Sequence, residues 1–253
     1  MKLTSPYPGL RPFERDEDIL FFGRDEQVDQ LLDKLADTHF LAVLGTSGSG
    51  KSSLVKAGLL PALDSGYMAG AGACWSVVEI RPGDRPFGRL AEALVRDTDW
   101  GQALGRPAAD LDADLRRGAM ALNWRLGVEP LPENRRLLIL IDQFEELFRY
   151  HRTAGTEASA FVALLLGAAT HPDVYVVITM RSEFLGDCSR YPDLPEAINA
   201  GLFLTPALSP EGMADAVQLP AALPQFGGEV APELDRPAPP APARPHAALG
   251  PGG

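Results

Sequence analysis

"FLAVLGTSGSGKSSLVKAGLL", Phe40–Leu60, is the stretch that organises the chain. Phe40–Leu44 is apolar throughout and is ended by Gly45, the pattern of a short buried strand. Lys51–Leu63 reads as a helix, with Leu54, Leu59 and Leu60 clustering toward one side. Between them Gly45, Thr46, Ser47, Gly48, Ser49, Gly50, Lys51 and Ser52 fit G-x-x-x-x-G-K-[ST] at every defined position, and Ser53 continues the polar run. Glycines let the backbone curl so that several N–H groups face one anion. The helix start adds unpaired donors and about half a positive charge. Lys51 can reach the β- and γ-phosphates, and the Ser52 hydroxyl can ligate Mg²⁺. Residues 45–53 therefore predict a nucleoside-triphosphate site.

The chain of 253 residues can bury a substantial core, as one large α/β domain or two smaller ones. Its formal net charge of −11, with lysine scarce beside arginine, disfavours broad contact with nucleic acid or anionic membrane. A phosphate loop survives that charge, because it works through local N–H groups. The two cysteines, Cys74 and Cys188, lie far apart, fit no metal-ligand spacing and read as buried small hydrophobes. The N-terminus carries no signal-peptide pattern, and no run reaches the ~18 apolar residues of a spanning helix, which predicts a cytoplasmic protein. Composition shifts near Pro220, and Ala231–Gly253 holds seven prolines with much alanine and glycine. The expected organisation is a nucleotide-binding domain over 1–220 and a disordered tail over 221–253.

"RRLLILIDQFEELFRY", Arg135–Tyr150, supplies the second half of the site. Leu137–Ile141 is a continuous apolar run, as expected of a central strand covered on both faces. Asp142 follows at its C-terminal end, where a carboxylate can hold Mg²⁺ directly or through water. Glu145 and Glu146 stand at the start of an expected helix; one of them could polarise an attacking water, or both could simply stabilise the helix dipole. Val174–Ile178 is a third strand that runs out into Thr179-Met180-Arg181. Arg181 could sense a γ-phosphate with its planar fork, or pair with Glu183 or Asp187. Further strands are expected at Trp75–Ile80 and Leu202–Leu204. Helices are expected at Asp25–Ala36, Phe87–Leu94, Leu111–Leu126, Glu157–Ala169 and Ser209–Leu219, the last with Met213, Ala216 and Leu219 packing. Strands alternating with helices indicate a mostly parallel sheet in an α/β/α arrangement.

"SPYPGLRPFERDEDILFFGRDEQVDQLL" (Ser5–Leu32), the phosphate loop, "EIRPGDRP", "LLILIDQFEELF" and "VVITMRSEF", in that order, resemble the novel STAND NTPase domain of the first subtype. STAND proteins are signal-transducing P-loop NTPases. The resemblance covers about residues 5–220 and implies a five-stranded sheet of order 5-1-4-3-2. It also implies phosphate and Mg²⁺ binding by Gly45, Gly50, Lys51 and Ser52, a Walker B role for Asp142, water activation at Glu145 with Glu146 beside it, and a sensor-1 role for Arg181. Phe22-Gly23-Arg24 resembles the segment that encloses adenine, although Phe21 and Phe22 could equally be ordinary core. Family members continue into helical and winged-helix modules and sensor repeats. Here "AVQLPAALPQFGGEVAPELDRP" begins like the next helix and passes into the proline-rich tail, so the chain reads as truncated after the nucleotide core.

The implied function is an ATP-binding, weakly hydrolysing molecular switch, with GTP as a second candidate and Mg²⁺ as cofactor. Nucleotide-dependent self-association or a signalling partner accompanies that reading. A non-catalytic nucleotide-binding scaffold and a small-molecule kinase are the competing classes.

Overall fold

The computed structural model describes residues 5–68, 70–150 and 156–226. Five strands, β1 (Phe40–Gly45), β2 (Trp75–Ile80), β3 (Arg136–Ile141), β4 (Val174–Arg181) and β5 (Leu202–Leu204), pair in the order β2-β3-β4-β1-β5. Every pairing is parallel. From the opposite edge the order reads 5-1-4-3-2, as the resemblance implied.

Continuous apolar strands serve two cores at once, because successive side chains point to opposite faces. Phe40, Ala42 and Leu44 join one buried cluster, and Leu41 and Val43 join the other. Leu137, Ile139 and Ile141 divide from Leu138 and Leu140 in the same way. Each such leucine, isoleucine, valine or phenylalanine contributes about 1.5–3 kcal/mol relative to exposure.

One face is covered by α1 (Asp25–Thr38), through Leu31, Leu32 and Leu35, and by α2, residues 51–64, through Leu54, Leu59 and Leu63. α2 is α-helical over Lys51–Ser53, widens to a π-helix over Leu54–Leu59 and returns to α over Leu60–Asp64. The other face is covered by α3 (Pro86–Asp97), α4 (Asp99–Ala103), α5 (Ala108–Leu115), α6 (Ala121–Val128), α7 (Glu146–Tyr150), α8 (Thr156–Ala168) and α9 (Leu194–Gly201). α10 (Pro210–Ala222) lies against the N-terminal segment that precedes α1.

The N-terminal segment is pinned across α2. The Phe13 amide donates to Ser53 Oγ at 3.1 Å. Buried Lys56, inside the π-turn, pairs with Glu14 at 3.2 Å and with Glu79 at 2.6 Å. Burial alone would lower the Lys56 pKa, but its bonds to Glu79 and Glu14 outweigh that and raise it.

Several expectations need correction. Leu111–Leu126 is two helices rather than one, because the chain turns between α5 and α6 with Gly118 at φ 149°. Met213 does not pack, being 56% exposed; α10 buries Gly212 and Pro220 instead. Cys74 is exposed, whereas Cys188 is buried with its thiol pushed up to about 12 by desolvation, which makes it a packing residue. Residues 221–226, assigned by composition to the tail, carry the end of α10 and a short 3₁₀ turn at Pro224–Phe226. The rest of the expected tail, 227–253, lies outside the described residues. Among the described residues no helix is long and apolar enough to cross a membrane.

Candidate functional site

The pairings Gly45↔Arg181, Leu44↔Leu204, Ile141↔Ile178 and Ile80↔Ile141 bring the C-terminal ends of all five strands to one edge. Arg81, Asp142, Arg181, Gly45 and Thr205 thus stand along one crevice, where ligands bind in open α/β sheets. β4 separates the phosphate-loop strand from the Asp142 strand.

Gly48 and Gly50 take φ of 75° and 86°, the left-handed region that L side chains avoid. A side chain at Gly45 would stand 2.6 Å from Ser49 Oγ, so glycine there lets the loop close on itself. The Lys51 ammonium lies across the loop, donating to the Gly45 carbonyl at 3.1 Å and the Thr46 carbonyl at 2.7 Å. Burial lowers the Lys51 pKa, and the charges of Glu145 and Asp142 work against that fall. Thr46 and Ser47 are exposed at the loop's tip. Ser53, expected among the phosphate contacts, turns its hydroxyl oxygen to the Phe13 amide.

Asp142 is fully buried. Its Oδ1 accepts from Ser52 Oγ and from Thr179 Oγ1, each at 2.7 Å. Thr179 accepts in turn from the Gln143 amide at 3.1 Å, which fixes the hydroxyl's donor direction toward the carboxylate. Among the described residues, Oδ2 receives only the Arg81 guanidinium, at 3.4 Å from both Nε and Nη2. The Ser52 hydroxyl and the Asp142 carboxylate are hard oxygen donors held together, and that donor set fits Mg²⁺, which takes few protein ligands alongside phosphate oxygens and water. When bound there, Mg²⁺ would neutralise charge on the terminal phosphates.

The two glutamates separate. A left-handed Gln143 (φ 57°) starts a turn in which the Phe144 amide donates to the Thr179 carbonyl at 2.9 Å. That turn buries Glu145 and delays the helix by one residue, so α7 begins at Glu146. Glu145 Oε2 accepts from the Arg181 amide at 3.4 Å, and burial raises its pKa against the nearby Lys51 and Arg181 charges. Glu146 Oε2 turns away and accepts from the Gly83 amide at 3.2 Å, tying the β2–α3 turn. Arg181 pairs with Glu183, one of the two acids expected, and lies 5.9 Å from the Phe184 ring centroid.

Beside the loop is a cavity of about 470 Å³, within the usual range of small-molecule sites. Phe21, Phe22 and Arg24 line one wall, Pro206 and Met213 another, and Gly48–Gly50 the end at the loop. Arg24 is buried and donates from Nη1 to the Pro206 carbonyl at 2.9 Å. Gly23, at φ 79°, meets α10 backbone to backbone: a side chain there would stand 2.2 Å from the Gly212 carbonyl oxygen. Gly23→Ala is therefore expected to cost about 2–4 kcal/mol and to lower the melting temperature by about 5–10 °C. An unchanged melting temperature would mean that these two backbones do not meet.

A family model described as Novel STAND NTPase 1 matches residues 6–235. The chain belongs to the novel STAND NTPase 1 family. The Walker-type ATPase PABY2304 of Pyrococcus abyssi has a similar structure, with a TM-score of 0.51 at 18% identity over 88% of this chain and 63% of that one. At that identity the likeness concerns the fold, and this chain spans 63% of the neighbour's length. No curated protein matches the sequence significantly. As a STAND NTPase domain the chain carries its phosphate loop and Asp142 at the strand ends where the fold places ligands. Arg81 lies in the quoted EIRPGDRP stretch, but its contact with Asp142, like the Gly23–Gly212 contact, joins residues far apart in the chain and carried no sequence signal.

Proposed function

We propose that this STAND NTPase domain binds ATP with Mg²⁺, hydrolyses it slowly and acts as a molecular switch between nucleotide states. The observation that carries the reading is the Ser52–Asp142–Thr179 cluster beside the Lys51 loop, with buried Glu145 facing the same space. In this reading the loop amides and Lys51 hold the phosphates, and Ser52 and Asp142 hold the metal. Glu145 orients the attacking water and takes its proton, and Phe22–Arg24 enclose the base. GTP is the competing purine for the same cavity. A cytoplasmic location and nucleotide-dependent self-association or a signalling partner belong to the same proposal, as does a nucleotide-binding unit that includes α10 and the turn at Pro224–Phe226.

Burial raises the Glu145 pKa, which strengthens its carboxylate as a base, and the Arg181 amide engages Glu145 Oε2. Hydrolysis is expected to rise with pH through an ionisation above the ordinary glutamate range. Single-turnover hydrolysis of labelled ATP across a pH series checks this. A rising limb that persists in Glu145→Gln would assign it to another group. The Arg181–Glu183 pair favours the second reading, a nucleotide-binding module without useful hydrolysis; tight binding with no turnover at any pH would establish it.

A further inference from the structure

We propose that Arg81 distinguishes a nucleoside triphosphate from a diphosphate, sharing Asp142 with the metal ion and passing to the terminal phosphate when the metal takes that carboxylate. The inference rests on the nucleotide reading of the site and adds a specificity-determining residue to it.

Arg81 owes its place to the sheet. Ile80 and Ile141 are in register, the Asp142 amide donates to the Ile80 carbonyl at 2.9 Å, and Arg81 and Asp142 are the next residues of the two adjacent chains. Asp142 is asymmetric: Oδ1 is held by two hydroxyls at 2.7 Å, whereas among the described residues Oδ2 has only the long 3.4 Å contacts to Arg81. A metal bound between Ser52 and Asp142 would draw on the same carboxylate, and two cations at one carboxylate repel each other.

The neighbouring arginines are provided for. Arg85 pairs with Glu92 at 3.2 Å, Arg89 with Asp84 at 3.6 Å and Arg96 with Asp97 at 2.6 Å. Among the described residues the acid paired with Arg81 is Asp142 alone. Arg81 is thus the cation that metal binding would unpair. Its side chain is 48% exposed and borders a cavity of about 310 Å³, so the guanidinium has room to move while the Arg81 carbonyl stays bound to Arg89 Nη1 at 3.4 Å. The oxygens of a terminal phosphate suit the guanidinium fork. A diphosphate lacks that group and leaves Arg81 in competition with the metal.

The test is nucleotide binding by the full chain, with ATP and ADP titrated separately across a Mg²⁺ series, in the parent, Arg81→Gln and Arg81→Lys. Arg81→Gln is expected to reduce the preference for ATP over ADP about tenfold and to lower the Mg²⁺ midpoint about threefold. Arg81→Lys should keep the parent's Mg²⁺ midpoint. Weaker discrimination of ATP together with tighter Mg²⁺ binding is a combination that structural damage does not produce. An unchanged ATP preference, a Mg²⁺ midpoint that fails to fall, or equal loss of both nucleotides overturns the proposal. A parent that binds neither nucleotide overturns the nucleotide reading itself, whereas a parent that binds both beside an indifferent Arg81→Gln overturns only the role of Arg81.

Discussion

Lys51→Ala is expected to weaken ATP binding by about thirty-fold or more while leaving the far-ultraviolet circular dichroism unchanged. A charge-assisted phosphate contact is worth on the order of 2–4 kcal/mol, and thirty-fold is the lower end of that range. The Lys51 ammonium already sits inside the loop on the Gly45 and Thr46 carbonyls, so little side-chain ordering remains to offset the phosphate contact. The fold should tolerate the change. Lys51 is only half-buried, and the side chains that anchor α2, such as Leu54, Leu59 and Leu63, are elsewhere on the helix. Calorimetric titration of ATP into parent and variant measures the difference. Equal affinities would remove the phosphate-loop assignment, and with it every role given to residues 45–52.

The strands were legible because burial on both faces leaves a plain mark: runs such as Leu137–Ile141 have no polar residue to spare for solvent. The phosphate loop was legible because glycine spacing encodes backbone shape directly, and Gly48 and Gly50 take the left-handed geometry that their identity allows. Elements decided by distant partners were not legible. The π-turn in α2 is held where Lys56 must meet Glu14 and Glu79, and no local periodicity distinguishes it from ordinary helix. Asp25–Thr38 runs two residues past its expected end because His39 caps it at φ 56°, a conformation that histidine adopts only occasionally. Leu111 through Leu126 keeps enough apolar residues to look like one helix, but residues 116–120 leave the helix, with Gly118 at a positive φ. In the site, adjacent Glu145 and Glu146 have the same chemistry, so only the left-handed turn at Gln143 could part them. Arg81 reaches Asp142 across 61 positions of sequence; the implied strand order put their strands side by side, but not the register that joins these two side chains.

Glu145→Gln is expected to slow hydrolysis by about 10²–10⁴-fold, the usual worth of a positioned general base, while leaving ATP affinity within about threefold of the parent. The amide keeps an oxygen to accept from the Arg181 backbone, so the β4 terminus should hold its place. It also removes a raised, buried carboxyl, so its own effect on folding should be neutral or slightly stabilising near neutral pH. Such separation of binding from turnover marks an interaction made only in the transition state. Glu146→Gln is the control that uses the same chemistry one residue away. Its carboxylate serves the Gly83 amide rather than the loop, and glutamine can accept that bond equally well. Turnover should therefore stay close to the parent's. Phosphate release from preformed Mg²⁺–ATP complexes, measured on both variants beside the parent, gives the comparison. If Glu146→Gln stops turnover and Glu145→Gln does not, the turn at Gln143 rearranges during catalysis and the roles exchange. If both variants turn over like the parent, water activation does not depend on either acid, and the buried carboxylate beside Lys51 has a structural purpose.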